Sequence, residues 1–184
     1  VYVLDDEAPL HRRMGAASRW WLYHSLASLD ASLRAKGSRL ILRRGRAVEV
    51  LAHLMAETGA AGVLWGRSYD PATRPRDEAV KAQMKAAGKL AKSLPGFLLH
   101  EPWLVETGEG GFYRVYTPYW KGVRNRPVAD CLAPPHAVPA PECWPDSDRL
   151  EDWRLGAAMR HKTCPCVAKC KWCSKIRFPL CPLA

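Results

Sequence analysis

Short apolar runs alternate with amphipathic stretches through the first half of the chain, and no other feature limits its possible folds as much. Four runs have the composition of buried strands: residues 1–4, 40–42, 62–65 and, diluted by lysine, 89–92. A stretch with helical periodicity lies between each run and the next. Strands joined through helices pair in parallel, because each crossover carries the chain back to the same end of the sheet. The alternation therefore predicts an α/β fold with a doubly wound, mostly parallel, Rossmann-like sheet.

The helical stretch between the first two runs has the clearest periodicity. Its leucines recur at spacings of four, three and four residues, which places them on one face of a helix. These leucines are Leu22, Leu26, Leu29 and Leu33. Ser18 stands where its hydroxyl can cap the start of the helix, and Gly37 stands where a left-handed residue can end it. This stretch is therefore predicted to form one helix followed by a tight turn.

Two more helices and one more apolar run are predicted after it. The first helix spans residues 47–58. The second spans about residues 74–87, with Thr73 as its N-cap and Pro75 in its first turn. Beyond the fourth run, residues 97–99 are again apolar and have strand composition.

Two loops follow the carboxyl ends of predicted strands, at residues 5–14 and 67–76. In open α/β sheets, ligands bind in the crevice beyond those ends, so both loops are candidates for lining a binding site. The first loop opens with Asp5, Asp6 and Glu7. These carboxylates either face the crevice or lie in a solvated turn.

Composition divides the chain into three parts. Residues 1–126 carry the alternating pattern and form the predicted α/β domain. Residues 127–155 hold six prolines, which is typical of an extended linker. Residues 156–184 form a basic, cysteine-rich tail. No run is long and apolar enough to predict a membrane span, and no signal peptide is visible, so a cytoplasmic location is expected.

The net charge of +10 is concentrated at the carboxyl end. Residues 1–153 hold 21 Lys and Arg against 18 Asp and Glu, whereas residues 154–184 hold seven Lys and Arg and no acid. The body of the chain is therefore nearly balanced. Its charge does not by itself indicate a nucleic-acid-binding surface.

Five of the seven cysteines lie in the tail. Cys166, Cys170 and Cys173 have the spacing by which radical SAM proteins ligate a [4Fe–4S] cluster. Together with Cys164 they could instead form a four-thiolate zinc site, with His161 as a substitute ligand. A tail without acids or apolar periodicity is also what a translated wrong reading frame or a disordered extension would show. A metal site is therefore the weaker alternative, and the prediction is that the chain has none.

Four stretches resemble one family. They read ASRWWLYHSL with GSRLILRRG, WGRSYDPATRPRD, HEPWLVETGEGGFYRVYTPYWK and SDRLEDWRL. They are similar to the N-terminal α/β domain of DNA photolyases and cryptochromes, and the resemblance covers about residues 1–155. In that family a strand with a Trp-Phe-Arg-like motif comes earlier and lies between the strands that correspond to residues 1–4 and 62–65. The chain is therefore interpreted as a domain truncated at both ends, with the family's first strand missing.

The resemblance implies a part in the blue-light-driven repair of UV-induced pyrimidine dimers in DNA. In the family, FAD transfers an electron to a flipped-out dimer, and a folate or deazaflavin antenna supplies the energy. The family's FAD and dimer pockets lie in a C-terminal helical domain, so no catalytic residue is carried over to this chain. We expect the chain alone to be inactive. Because the resemblance extends to cryptochromes, a photoreceptor fragment is an alternative.

The antenna site is the functional site that the resemblance places within this chain. WGRSYDPATRPRD is similar to the family's antenna loop, which implies that Arg67, Tyr69, Asp70 and Arg76 line the chromophore. Folate-binding members have a glutamate about where Thr73 stands. A carboxylate can pair with the donor edge of a pterin, whereas a threonine cannot do so bidentately. Folate is therefore disfavoured as the antenna.

A second group of aromatic residues follows a glycine-rich turn. Tyr116, Tyr119 and Trp120 lie in a predicted helix that Thr117 would cap. They either pack this helix against the sheet, which we favour, or stack on a base. The chain has no Gly-x-Gly-x-x-Gly or P-loop pattern, so a plain nucleotide-binding module is a weaker alternative function.

Overall fold

The structure is a computed structural model, and it describes residues 1–6, 14–128 and 130–157. Four strands and four α-helices form the described part. The strands are β1 (Tyr2–Leu4), β2 (Leu42–Arg44), β3 (Gly62–Gly66) and β4 (Leu90–Leu94). The helices are α1 (Ala16–Arg34), α2 (Ala47–Thr58), α3 (Arg74–Ala86) and α4 (Tyr116–Val123), with short 3-10 turns at Pro102–Leu104 and Leu150–Trp153.

The strands pair in parallel, as the alternation predicts. β1 pairs with β2 so that Tyr2 lies opposite Leu42, and β3 pairs with β4 so that Gly62 lies opposite Leu90. Within the described residues no hydrogen-bonded ladder joins the two pairs. One edge of β1 and one edge of β3 therefore lack a strand partner in that part of the chain, which agrees with the family strand expected between them.

Helices cover both faces of this arrangement, which confirms the doubly wound α/β class. One core cluster joins Leu4 and Leu42 of the first pair to Leu26 of α1. The other cluster joins Met55 of α2 to Met84 of α3, with apolar side chains of β1, β3 and β4 packed against it. Successive residues of a strand point to opposite faces, so each face of the sheet receives its own set of apolar side chains.

The first helix differs from its prediction at both its start and its buried face. It begins at Ala16, and no side chain caps it, so the prediction of Ser18 as the cap is wrong. Because the helix begins two residues before Ser18, this serine already lies in its first turn. Leu26 is buried, but Leu29 is 46% exposed. Gly37 has φ +82°, which confirms it as the left-handed residue after the helix.

Asp30 ties the end of α1 to the strand that follows. Its carboxylate accepts hydrogen bonds from the Leu40 N–H at 2.8 Å and from Arg34 Nε at 2.7 Å. Partial burial acts to raise the pKa of Asp30, but these two bonds, together with the positive charges of Arg34 and Arg39, outweigh it and hold the pKa below its ordinary value of 3.8. The charged carboxylate is therefore the form that stabilises this junction.

Replacing Asp30 by alanine is expected to lower the free energy of unfolding at pH 7 by about 1–2 kcal/mol, because the Leu40 N–H loses its acceptor. A carboxyl with a lowered folded-state pKa stabilises above its ordinary pKa, and this contribution is lost as the pH falls through the folded value. Urea denaturation between pH 7 and pH 3 measures both effects. Glu109→Ala, in an exposed turn, is the control, and an identical loss of stability below about pH 4 in Asp30→Ala and the parent would contradict the assignment.

The second and third helices follow their predictions closely. α2 ends at Thr58 and is followed by Gly59, which has φ +63°, and α3 begins at Arg74 with Pro75 in its first turn. Thr73 occupies the N-cap position, but its side chain makes no capping hydrogen bond. Its hydroxyl instead donates to the Asp70 carboxylate at 2.5 Å. The position of the cap was therefore predicted correctly, and its chemistry was not.

Residues 97–99 do not form a strand, although their composition predicts one. β4 ends at Leu94, and Pro95 and Gly96 then interrupt the chain. Proline offers no N–H to a ladder, so strand pairing stops there. The prediction that Thr117 caps α4 is also wrong, because α4 begins at Tyr116 with Val115 as its N-cap residue.

The segment after the proline-rich stretch is part of the core. The Leu42 N–H donates to Ser147 Oγ at 2.9 Å, and the Asp148 N–H donates to the Leu42 carbonyl at 2.8 Å. Trp153 and Leu155 are buried beside the side chains of the first strand pair. Part of the predicted linker, 127–155, therefore completes one face of the α/β domain. The division of the chain into three domains stays a prediction.

No helix in the described ranges combines the length and the apolar character that crossing a membrane requires.

Candidate functional site

The loop after β3 is shaped by its own backbone and by one aspartate. The Arg67 N–H donates to the Leu94 carbonyl at 2.8 Å, which extends the β3–β4 pairing by one residue. Asp70 then organises the turn into α3: its Oδ1 accepts from the Ala72 N–H at 2.8 Å, and its carbonyl accepts from the N–H groups of Thr73 and Arg74. Asparagine and aspartate commonly hold turns in this way. The loop is therefore rigidly attached to both the strand and the helix.

Arg67 lies at the centre of a mixed polar and aromatic wall. Its guanidinium forms an ion pair with Glu101 at 3.1 Å and lies 4.9 Å from the centre of the Trp103 ring. It also donates to the Ser93 carbonyl at 3.3 Å. Stacking of a guanidinium on an indole combines cation–π attraction with planar contact. These contacts hold Arg67 and Trp103 in one fixed relation.

Tyr69 is held by the same carboxylate. Its hydroxyl donates to Glu101 Oε1 at 2.7 Å. Burial, followed by this hydrogen bond, raises the pKa of Tyr69 above its ordinary value. The phenol therefore remains a protonated donor throughout the neutral range. The second oxygen of Glu101, Oε2, is buried and has no hydrogen-bond partner.

These groups border a cavity of about 550 Å³ beside α3. Its charged and aromatic lining consists of Arg67, Tyr69, Arg74, Asp77, Glu78, Lys81 and Trp103. The volume suits a small planar molecule, since binding pockets for such ligands commonly measure 300–1,000 Å³. The lining offers an aromatic surface together with several cations.

The two carboxylates that line the cavity differ in how available their oxygen atoms are to a ligand. Asp77 is buried, and its two oxygens accept from Trp65 Nε1 at 2.9 Å and from Arg76 at 3.0 Å. Glu78 is exposed at the mouth and lies 3.9 Å from Arg74. A ligand with hydrogen-bond donors would therefore meet Glu78 rather than Asp77.

The structure separates the four residues that the sequence predicts for the site. Arg67 and Tyr69 line the same cavity. Asp70 supports the turn beneath it, and Arg76 lines a different cavity of about 500 Å³ at the end of β1. The sequence interpretation therefore identified two residues that face one pocket and two that do not.

Three residues were not predicted as site residues: Trp103 and Lys81, which line the cavity, and Glu101, which binds Arg67 and Tyr69 beside it. Glu101 and Trp103 lie in HEPWLVETGEGGFYRVYTPYWK, and Lys81 lies on α3. Lys81 Nζ donates to Ser93 Oγ at 2.9 Å and lies 5.7 Å from the centre of the Trp65 ring. An acid and a tryptophan two residues apart, flanking a proline, are the signal that could have drawn attention to the first two.

The second cavity lies where the sheet rule places a crevice. Asp5 Oδ2 accepts from the Ala47 N–H at 3.0 Å and so caps α2, while Asp6 forms an ion pair with Arg44 at 2.8 Å. The other carboxylate oxygen of each aspartate is buried without a hydrogen-bond partner. Both residues line this cavity together with Arg76. Of the two interpretations of this acidic run, the one in which the carboxylates face a crevice therefore holds for Asp5 and Asp6. Glu7 lies outside the described residues.

The tail cysteines Cys164, Cys166, Cys170 and Cys173 lie outside the described residues, so a metal site there stays a prediction. Within residues 1–6, 14–128 and 130–157, no group of three or more His, Cys, Asp or Glu side chains is arranged to hold a metal ion.

Comparison with known proteins agrees with this architecture. The model of the DNA photolyase family matches residues 1–142. The chain belongs to the DNA photolyase family. It is 43% identical over 157 residues to a deoxyribodipyrimidine photo-lyase of Agrobacterium fabrum. It is also 33% identical over 141 residues to cryptochrome-1 of Arabidopsis thaliana, so similarity extends to both branches named above.

Solved photolyase structures share the fold. A class III photolyase from Agrobacterium tumefaciens superposes with a TM-score of 0.78 at 40% identity, covering 84% of this chain. A photolyase from Sulfolobus tokodaii, solved with two FAD molecules, superposes with a TM-score of 0.66 at 19% identity and supports the fold alone. The chain spans about 32% of the Agrobacterium fabrum relative and 21% of the Arabidopsis one. The match is to the N-terminal α/β part of the family.

Proposed function

We propose that this chain is the antenna-chromophore domain of a deoxyribodipyrimidine photolyase, which absorbs light for the repair of UV-induced dimers in DNA. The observation that carries the proposal is the cavity beside α3, where Arg67 is fixed between Glu101 and the ring of Trp103. A planar chromophore can lie against such a wall through stacking and cation–π contact. The 43% identity to a protein named deoxyribodipyrimidine photo-lyase supports the reaction class.

The residues of the cavity fit a planar, anionic chromophore. Trp103 and Tyr69 offer apolar ring surface, and Arg74 and Lys81 offer positive charge for an anionic group. Thr73 has no carboxylate with which to pair a pterin. Its side chain is also buried, and its hydroxyl is already bonded to Asp70 and Ser68. A deazaflavin therefore fits this lining better than a folate. When bound, the antenna supplies light absorption and passes the excitation energy on to flavin.

The redox chemistry is assigned to no residue of this chain. FAD and the UV-damaged DNA substrate enter the proposal through the family alone, and the Agrobacterium fabrum relative is about three times as long as the stretch that matches this chain. The work of the described residues is to bind the antenna, hold its orientation and exclude water from one side of it. A cytoplasmic location remains part of the same proposal.

Chromophore titration tests the proposed function. A hydroxylated deazaflavin and methenyltetrahydrofolate are each added to the full chain, and binding is followed by induced circular dichroism in the chromophore's absorption band. We expect the deazaflavin to bind more tightly. Arg67→Ala should weaken its binding about tenfold or more, because the lost stacking and charge contribute roughly 1–2 kcal/mol.

Arg46→Ala is the matched control, since Arg46 is an exposed arginine outside the cavity whose pair with Glu49 is solvated. Its effect on chromophore binding should be negligible. If neither chromophore binds the parent chain, the antenna function is wrong. If folate binds more tightly, the family role stands and the choice of chromophore is wrong.

A cryptochrome-like photoreceptor fragment is the second candidate function, and the 33% identity to Arabidopsis cryptochrome-1 favours it. The two candidates share the antenna domain and differ in what the excitation drives. If a protein that contains this domain repairs pyrimidine dimers in light, the domain belongs to a photolyase rather than to a cryptochrome-like photoreceptor.

A further inference from the structure

Ser93 is a buried polar residue of β4 that lines the cavity beside α3. It is only 6% exposed. Its Oγ accepts hydrogen bonds from Lys81 Nζ at 2.9 Å and from Arg67 Nε at 3.4 Å. Two cations therefore converge on one uncharged oxygen atom at the wall of the cavity.

The hydroxyl of Ser93 also has a proton to donate. A serine hydroxyl offers one donor and two acceptor lone pairs, and the two cations occupy the lone pairs. Among the described residues, none accepts a hydrogen bond from this hydroxyl. A buried donor without an acceptor costs free energy, so a ligand atom that accepts from Ser93 would be bound favourably.

Lys81 differs from the other cations of the cavity in its charge partners. Arg67 is paired with Glu101 at 3.1 Å, and Arg74 lies 3.9 Å from Glu78. Within the described ranges, no carboxylate forms an ion pair with Lys81. The positive charge of Lys81 is therefore the one that a ligand could neutralise.

Asp77, one helical turn before Lys81 on α3, does not supply the counter-charge. Its two oxygens accept from Trp65 Nε1 at 2.9 Å and from Arg76 at 3.0 Å. Lys81 Nζ lies 5.7 Å from the centre of the Trp65 ring. An ammonium group has three donors, and Ser93 uses one of them. The remaining donors are available to a ligand.

We propose that Lys81 and Ser93 form an anion subsite of this cavity, which binds a phosphate group carried by the chromophore. A phosphate supplies oxygen acceptors for both side chains and a negative charge for Lys81. The ammonium acts as a point charge, which suits a phosphate, whereas planar carboxylates are better matched by the fork of an arginine. The inference rests on the proposed function, because it assigns the phosphate to the antenna chromophore.

The subsite also fixes how the chromophore lies in the cavity. Pockets for small molecules orient their ligands through a few polar groups placed among apolar and aromatic side chains. Here the polar pair lies at β4, and Trp103 supplies the aromatic surface. The phosphate-bearing end of the chromophore is therefore held at β4.

Two deazaflavins that differ only in the phosphate test the subsite. 5-Deazariboflavin has a neutral ribityl arm, and its 5′-phosphate carries the anion. Each is titrated into the full chain at constant ionic strength, and binding is followed by induced circular dichroism. We expect the phosphate to bind about tenfold more tightly or better, because hydrogen bonds to charged groups are among the strong ones.

The ratio of the two affinities is the readout in the variants, because a general disturbance of the cavity would weaken both compounds alike. Ser93→Ala and Lys81→Met should each bring the two affinities within about twofold of each other. Lys85→Met is the matched control, since Lys85 is an exposed lysine of the same helix outside the cavity lining, and it should keep the preference. Far-UV circular dichroism checks that each variant folds, and the two substitutions test the subsite independently. Equal binding of the two compounds by the parent, or an undiminished preference in a folded variant of Ser93 or Lys81, overturns the proposal.

Inorganic phosphate separates this inference from the proposed function. It is titrated into the nitrogen-15-labelled full chain without chromophore, and the amide signal of Ser93 is followed. If both deazaflavins bind with equal affinity, the antenna function stands and the subsite is wrong. If neither binds, the antenna function is wrong, and inorganic phosphate decides the subsite: saturable shifts in the parent that Lys81→Met abolishes support it, and any other result overturns it.

Discussion

Replacing Trp153 by alanine is expected to lower the free energy of unfolding by about 3–5 kcal/mol, the range for removing a buried tryptophan from a packed core. Trp153 is 5% exposed, its ring lies 6.1 Å from that of Tyr2, and its Nε1 donates to Asp148 at 3.1 Å. The substitution therefore leaves a cavity next to β1 and removes the donor to Asp148. Urea denaturation followed by near-UV circular dichroism measures the loss.

Trp21→Ala is the comparison for this experiment, since its indole is largely in solvent. Exposed substitutions away from special features usually change stability by less than about 0.5 kcal/mol. Equal effects of the two substitutions would show that residues 150–155 do not belong to the core. The function of the domain depends on this packing, because β1 borders the crevice that holds Asp5 and Asp6.

Substituting Gly62 by alanine is expected to cost about 3 kcal/mol, at the upper end of the range for inserting a methyl group into a packed region. A Cβ at position 62 would lie 2.5 Å from the Cβ of Leu90 and 2.6 Å from its carbonyl oxygen. Because one of these atoms belongs to the backbone, β3 and β4 must move apart to make room. Thermal and urea denaturation measure the cost.

The same movement should also weaken chromophore binding, since the Arg67 N–H bonds to the end of β4 and Arg67 lines the cavity. Gly96→Ala is the control, because a Cβ there meets no atom within 4 Å. If Gly62→Ala were as stable as Gly96→Ala, the close approach of β3 and β4 at this point would be wrong.

The sequence predicted some residues of the candidate site and missed others, and the difference lies in how far apart the residues are along the chain. Arg67 and Tyr69 lie in one loop, so a local sequence pattern was enough to name them. Glu101 and Trp103 are more than thirty residues away from Arg67, and the crossing of α3 and β4 brings them beside it. No local pattern contains that information. Arg76 was predicted together with Arg67 and Tyr69, but it lies on α3 rather than in the loop, and it lines the cavity at the end of β1.

The aromatic residues of α4 were assigned to the wrong environment for a second reason. Burial of an aromatic side chain is usually favourable, so packing against the sheet was the natural prediction. Periodicity identifies an apolar helix face, but it does not say what covers that face. Tyr116 and Trp120 satisfy the pattern of a core and lie on the surface.

The sequence by itself determined the α/β class, the parallel pairing, the bounds of α2 and α3 and the turn after α1, because these follow from local periodicity and from glycines such as Gly37 and Gly59. Tertiary structure alone decided that Trp153 belongs to the core, that Glu101 anchors the site and that Tyr116 and Trp120 of α4 are exposed. These features depend on contacts between residues far apart in the chain, and the free energy of such contacts is set by the shape of the fold rather than by neighbouring residues.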